Sequence, residues 1–181
     1  MSTAVTADAP TKGGKFLTFY LADEEYGVEI LKVQEIIGIQ PITRVPRTPA
    51  FVRGVINLRG KVIPIMDLRE RFHMDAIDHA GELDAATAAM RCIIVVHVAG
   101  AQDRVVPMGI VVDRVSEVVA IAPEDVEDTP SFGAAVKTEY LLGLGKTRGS
   151  DAQGGGRVKL LLDIDRVLAS DELAAVTQLD A

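Results

Sequence analysis

The order of apolar residues and glycines in this chain repeats itself, and this repeat constrains the fold more than any other feature. The segment YGVEILKVQEIIGI, Tyr26 to Ile39, aligns without a gap with MGIVVDRVSEVVAI, Met108 to Ile121. The identical pairs are Gly27 and Gly109, Val33 and Val115, Glu35 and Glu117, and Ile39 and Ile121. A repeat of this kind predicts that the chain is built from two related units.

Two further blocks recur in the same order. FVRGVINLRG at 51–60 is similar to YLLGLGKTRG at 140–149, and GKVIPIMDLRERF at 60–72 is similar to GRVKLLLDIDRVL at 156–168. Each half contains roughly five short apolar runs separated by Gly and Pro, a pattern typical of a small antiparallel barrel or sandwich. Asp67 and Asp163 precede short amphipathic stretches, where helix N-caps are expected. The sequence therefore predicts a mainly β fold produced by internal duplication, with short helices.

Composition suggests where these units begin and end. Residues 1–14 are small, polar and unpatterned, and we expect a flexible N-terminal tail followed by one domain over 15–181. Within it we expect a first barrel over about 15–75, an Ala-, Asp- and Glu-rich linker over about 76–91, a second barrel over about 92–168 and a C-terminal helix over about 164–178. The Gly-rich stretch at 147–156 predicts a flexible loop where the first half has a tight turn.

The stretch GVINLRGKVIPIMDL, Gly54 to Leu68, predicts a hairpin with an arginine at its tip. Two β-branched runs flank the four residues Asn-Leu-Arg-Gly. Asn in the first position and Gly in the fourth favour a type I turn over Asn57 to Gly60. Leu58 and Arg59 would then be held away from the core on a rigid turn.

Charge and residue usage exclude several functions. The chain carries a net charge of −7, which argues against a nucleic-acid surface. It has no Trp and 4% aromatic residues, which is unsuited to stacking bases or gripping proline-rich peptides. No apolar run approaches the roughly 18 residues needed to span a bilayer, and no signal pattern begins the chain. With one cysteine, Cys92, an internal disulfide is impossible, and we expect a cytoplasmic protein.

Candidate catalytic and metal-binding groups are few. In HMDAIDH, the side chains of His73, Asp75, Asp78 and His79 could in principle bind a metal, but their spacing matches no known site. No phosphate-binding loop, GxSxG, HExxH or CxxC motif is present. We expect no cofactor, no metal and no catalysis; a small hydrolase using the linker histidines is the alternative from another class.

A surface loop offers a better candidate for binding. ITRVPRTPAF, Ile42 to Phe51, contains Pro46 and Pro49, which cannot lie in a central strand. Apolar residues left exposed on such a loop would form a protein-contact patch. In the preceding EILKVQEII, strand and helical turn are both possible, with Val33 toward the core and Glu35 toward solvent.

The segments EEYGVEILKVQEI, TPAFVRGVINLRGKVIPIMDLR, MGIVVDRVSEV and EYLLGLG resemble the signature blocks of the CheW family of bacterial chemotaxis coupling proteins. The resemblance runs from about Lys15 to Val176. It implies two five-stranded SH3-like β-barrels packed around a shared core. It also implies a non-enzymatic adaptor that couples the cytoplasmic tips of methyl-accepting chemoreceptors to the regulatory domain of the CheA histidine kinase. A scaffold of a non-flagellar pathway, such as surface motility, is the alternative within this fold.

The resemblance also implies two groups of site residues. The receptor-binding residues would be Val33, Glu35, Gly54, Asn57, Arg59 and Gly60. For the kinase, the exposed-loop argument suggests Ile42 and Val45. The segments at about 75–91 and 147–156 are longer than expected for the family and leave these motifs intact.

Overall fold

A computed structural model describes residues 13–22, 24–72, 89–100, 102, 104–128, 138–147 and 158–168. The strands of the first half are β1 (Gly14–Leu21), β2 (Glu24–Glu29), β3 (Val33–Gly38), β4 (Val52–Leu58) and β5 (Lys61–Asp67). Those of the second half are β6 (Cys92–Ala99), β7 (Val105–Val112), β8 (Arg114–Ile121), β9 (Val126–Glu127), β10 (Leu141–Lys146) and β11 (Val158–Leu162). Two short helices follow β5 and β11, namely α1 (Leu68–Arg71) and α2 (Ile164–Leu168). The predicted mainly β fold is confirmed.

The strands form two sheets, and each sheet takes strands from both halves of the sequence. One is six-stranded, in the order β8–β1–β2–β11–β10–β9, and the other is five-stranded, in the order β3–β6–β7–β5–β4. This differs from the expectation that residues 15–75 and 92–168 form separate barrels. The chain crosses between the sheets after β2 and again after β7, so each N-terminal hairpin joins the sheet of the other half. Two hairpins with the same apolar pattern give no sequence signal for which half each one pairs with.

The pairing registers confirm that the two sheets are related by the repeat. Gly27 of β2 lies opposite Leu161 of the parallel strand β11, and Gly109 of β7 lies opposite Ile65 of the parallel strand β5. A side chain at either glycine would press on that neighbour, since a Cβ would lie 3.0 Å from the Leu161 side chain or 2.5 Å from the Ile65 side chain. The repeated glycines are thus explained by close strand packing.

Val33 and Val115 occupy equivalent edge positions, as the repeat predicts. Val33 in β3 pairs with Val96, and Val115 in β8 pairs with Phe19, in strands whose own registers are equivalent. Gly54 and Gly143 are equivalent in the same way, each at a register shift in its strand and each with a positive φ, +142° and +159° respectively.

Among the residues that the structure describes, buried apolar side chains form three clusters. The shared core lies between the sheets and includes Phe19, Tyr26, Met66, Ile94, Ile110 and Leu162. The five-stranded sheet encloses a second cluster, Ile56, Ile63, Ile65, Ile93, Val95 and Val111. The six-stranded sheet encloses a smaller one built on Phe16, Ile121 and Leu161. Burying each large side chain contributes about 1.5–3 kcal/mol, so a shared core of this size ties the two sheets into one folding unit.

Both helices begin at the predicted aspartates. The Asp67 carboxylate accepts a hydrogen bond from the Arg69 backbone N–H at 3.0 Å, and Asp163 accepts one from the Arg166 backbone N–H at 3.3 Å. A 3-10 turn at Ile30–Lys32 precedes β3, so the ambiguous window contains both a helical turn and a strand. Residues 76–88, 148–156 and 169–178, where linker, loop and helix were expected, lie outside the described residues.

The two hairpins β1–β2 and β6–β7 are each held at their ends by an aspartate, although the two aspartates come from different positions in the repeat. Asp113 accepts a hydrogen bond from the Ala22 backbone N–H at 2.7 Å and pairs with Arg69. Asp165 accepts one from the Ala99 backbone N–H at 2.9 Å and pairs with Lys32 at 2.8 Å. Each aspartate therefore links the end of one N-terminal hairpin to a cationic side chain of another element.

Candidate functional site

The β4–β5 turn presents Arg59 in a backbone conformation that the sequence did not predict. Leu58 pairs with Lys61, and the two residues between them both have positive φ, +52° at Arg59 and +85° at Gly60. This is the two-residue hairpin of the type I′ class, so the predicted type I turn is wrong. The expectation for Leu58 is wrong as well, because it ends β4 and packs against the cluster inside the five-stranded sheet. Asn57 still stabilises the turn, because its side-chain oxygen accepts a hydrogen bond from the Gly60 backbone N–H at 2.8 Å.

Arg59 reaches from this turn to the opposite edge of the sheet. Its guanidinium donates a hydrogen bond to the Glu35 carboxylate and forms an ion pair with it. The Arg59 side chain remains 67% exposed and that of Glu35 is 24% exposed. The hydrogen bond from Arg59 lowers the pKa of Glu35 below its ordinary value. The pair is therefore charged at neutral pH, and most of the guanidinium is still open to a partner.

Exposed apolar residues also occur along β3 and on the turn before it. Leu31 is 90% exposed on the 3-10 turn, and Ile36 and Ile39 are 46% and 49% exposed. Val33 is half-buried and packs against the shared core, as expected. Patches of exposed aliphatic residues mark protein-contact sites more often than scattered ones do. Leu31, Ile36 and Ile39 were not predicted as exposed residues. The signal for them was the number of apolar residues in EILKVQEII, which is more than an edge strand can bury on one face.

Gly54 is buried and contributes to the site indirectly. A Cβ there would lie 2.1 Å from the Thr43 carbonyl oxygen, which is impossible without moving backbone. That close approach lets Thr43 and Val55 exchange two backbone hydrogen bonds, of 2.9 and 2.8 Å. Since only glycine allows it, Gly54 fixes the path of the chain between β3 and β4.

Ile42 and Val45 are both half-buried, and Phe51 is buried. Ile42 packs against the cluster inside the five-stranded sheet. The loop from Ile42 to Phe51 therefore does not present these apolar residues as a fully exposed patch. Its exposed side chains include two arginines, Arg44 and Arg47.

Groups suited to metal binding do not converge in the part of the chain that the structure describes. No three His, Cys, Asp or Glu side chains there lie close enough together to hold a metal ion. Cys92 is half-buried, and burial raises the pKa of its thiol. His73 and His79, on which the hydrolase alternative depends, lie outside the described residues. Within those residues, too, no helix has the length and apolar character needed to cross a membrane.

The chain is similar to proteins of known class over nearly its whole length. The family described as the CheW-like domain matches residues 15–172. "Chemotaxis protein CheW" of Klebsiella aerogenes is 41% identical over 176 residues, which is 97% of this chain and 94% of that protein. "Protein FrzA" of Myxococcus xanthus is 32% identical over 91% of each chain. The crystal structure of the scaffolding protein TtCheW from Thermoanaerobacter tengcongensis has a TM-score of 0.70 at 29% identity and covers 88% of this chain and 90% of that one.

Proposed function

Because this chain belongs to the CheW family, we propose that it is a non-enzymatic adaptor that couples chemoreceptor tips to the CheA histidine kinase. Members named for chemotaxis, and a solved relative described as a scaffolding protein, support this class of function. The adaptor would lie in the cytoplasm, held at the inner face of the membrane through the receptors rather than by inserting into lipid.

The observation that carries the receptor half of the proposal is the exposed ion pair between Arg59 and Glu35. A guanidinium held on a two-residue turn, with a carboxylate fixing its direction, can satisfy acceptors on a partner at little entropic cost. Leu31 and Ile36, exposed nearby on and before the edge strand β3, supply the apolar contact that such a hot spot requires. We assign Val33, Glu35, Asn57, Arg59 and Gly60 to this receptor-binding surface. Gly54 contributes indirectly, because it allows the close approach of Thr43 to β4.

An adaptor needs a second surface that its first partner leaves free. The loop from Ile42 to Phe51 leads into the first residue of β4, whereas Arg59 follows the last residue of that strand. The six steps from Arg53 to Arg59 along β4 span about 20 Å. We assign this loop, including Ile42 and Val45, to the kinase, because both partners could then bind one molecule together.

A scaffold in a non-flagellar chemosensory pathway is the alternative, since "Protein FrzA" of Myxococcus xanthus, a relative of this chain, is not named for chemotaxis. The same two surfaces would serve there with different receptors. Binding to the receptors and kinase encoded in the same genome separates the two cases.

The test is assembly of a ternary complex from purified parts. A receptor-tip fragment, the kinase regulatory domain and this protein are mixed in pairs and then together, and the complexes are sized by light scattering. The proposal expects two binary complexes and one ternary complex. Two partners that displace each other would contradict the assignment of separate surfaces.

A further inference from the structure

Positive charge is segregated in one part of this acidic chain. Residues 36–66 contain five of the 19 Lys and Arg and none of the 26 Asp and Glu. The five are Arg44, Arg47, Arg53, Arg59 and Lys61. Against a net charge of −7, a stretch of this length without one carboxylate makes the β4 side of the five-stranded sheet locally positive.

Three of these arginines surround one depression in the surface. It has a volume of about 410 Å³ and is formed by the loop before β4 and the beginning of that strand. Arg44, Arg47 and Arg53 line it together with apolar residues that include Val45 and Val52. Guanidinium groups beside apolar residues can bind a carboxylate, because each guanidinium can donate two parallel hydrogen bonds to it.

Backbone contacts hold the loop that presents these side chains. The Thr48 hydroxyl donates to the Val45 carbonyl at 2.9 Å, and the Val52 backbone N–H donates to the Pro49 carbonyl at 3.0 Å. Arg47 lies between these contacts with φ at +62°, a conformation that costs an L-residue energy and is typical of functional loops. These contacts define the backbone of the loop from which Arg44 and Arg47 extend.

The charge around the depression is only partly neutralised from within the protein. Arg53 pairs with the buried carboxylate of Asp67 at 3.1 Å, which orients the side chain along the wall. Arg44 and Arg47 are exposed and form no ion pair with any of the residues that the structure describes. Two guanidiniums with free donors thus face solvent beside a third that is held in place.

We infer that this arginine pocket, defined by Arg44, Arg47 and Arg53, binds acidic side chains on the regulatory domain of the kinase. The inference rests on the proposed function for the identity of the partner and adds the chemistry of the contact. An acidic partner is favoured because the pocket carries unpaired positive charge on a chain that is otherwise negative. We expect this charged contact, and not an apolar contact through Ile42 and Val45, to be the main source of affinity for the kinase. Both of those side chains are half-buried.

The test compares two double variants of equal charge. Arg44→Gln with Arg47→Gly removes the unpaired guanidiniums, and glycine suits the positive φ at position 47. Lys15→Gln with Arg104→Gln removes two exposed positive charges elsewhere and serves as the matched control. Affinity for the kinase regulatory domain and for a receptor tip is measured between about 50 and 300 mM salt, with melting temperatures as a check on folding.

We expect the pocket variant to bind the kinase domain at least tenfold more weakly at low salt, with a shallower salt dependence and unchanged receptor affinity. The control should bind both partners as the wild type does. Equal losses in the two variants would mean a general effect of charge and would overturn the pocket. Unchanged kinase affinity in the pocket variant overturns the inference alone, whereas a wild type that binds no kinase domain overturns the proposed function and the inference with it.

Discussion

Glu35 accepts a hydrogen bond from Arg59 across the open side of the five-stranded sheet, between the edge strand β3 and the turn that follows the other edge strand, β4. The sheet order places these strands four positions apart, so they can meet only because the sheet curls into a barrel. The ion pair therefore belongs to barrel closure as well as to the exposed surface. Arg59 can therefore act both within the fold and toward a partner.

Gly54→Ala should destabilise the protein far more than Gly60→Ala does. A Cβ at position 54 would lie 2.1 Å from the Thr43 carbonyl oxygen, whereas nothing lies within 4 Å of one at position 60. Both glycines have positive φ, so both variants lose about 1–2 kcal/mol from backbone strain. Gly54→Ala should lose about 2 kcal/mol more, as an overpacked core site does. Urea unfolding of the two variants measures the difference, and equal losses would contradict the close approach of Thr43.

Removing one member of the buried pair Glu25–Lys159 should lower the free energy of unfolding strongly. Replacing both members with apolar residues should change it little. Their side chains are each 6% exposed, and the Lys159 ammonium donates to the Glu25 carboxylate at 2.6 Å across the parallel pair of β2 and β11. Removing one partner leaves a buried charge and should cost about 3–5 kcal/mol. The double variant Glu25→Leu with Lys159→Met should lie within about 1–2 kcal/mol of wild type. A double-mutant cycle by chemical unfolding checks this, and additive losses would refute a coupled pair.

The same pair should give the protein an acid-sensitive stability. Burial alone would raise the pKa of Glu25, but hydrogen bonds from Lys159, Thr18 and Tyr20 outweigh it and lower that pKa below its ordinary value of 4.5. The folded state thus keeps the charge to lower pH than the unfolded chain does. This stabilisation is present above pH 4.5 and is lost as the pH falls through the folded-state pKa.

Unfolding free energy measured from pH 6 down to pH 3 tests this point. The wild type should lose more stability over this range than the double variant Glu25→Leu with Lys159→Met. Parallel curves for the two proteins would show that other carboxylates control the acid response.

The repeat was visible in the sequence because glycine and the apolar pattern record strand packing directly. Gly27 and Gly109 face large side chains of a parallel neighbour, and that steric demand leaves the same residue in both copies. The N-cap aspartates were predictable for a similar reason, since capping needs a particular side chain at one position.

The exchange of hairpins between sheets could not be predicted in this way. Which strand β2 pairs with depends on contacts more than 130 residues apart, such as Glu25 with Lys159, and two similar halves satisfy the same pattern in either pairing. The turn type failed because Arg59 adopts a left-handed conformation that its side chain does not favour. The position of Ile42 depended on the path that Gly54 allows, which no local pattern reports.

The central claim is that Arg59 binds the receptor directly, and the affinity of Arg59→Glu for a receptor tip tests it most directly. Two controls accompany it. Arg59→Asn tolerates the positive φ without the charge, and the exchange Glu35→Arg with Arg59→Glu restores an ion pair inside the chain with its charges reversed. Melting temperatures of all three should lie within about 3 °C of wild type, because the changes are on the surface.

We predict that Arg59→Glu weakens receptor-tip binding by about 30-fold or more, while affinity for the kinase regulatory domain stays within about twofold. The charge exchange should remain defective, because the receptor's acceptors would still face a carboxylate at position 59. Receptor affinity that is unchanged in Arg59→Glu would contradict the claim. Recovery in the charge exchange would contradict it too, since it would show that binding requires the ion pair within the chain and not a guanidinium at position 59.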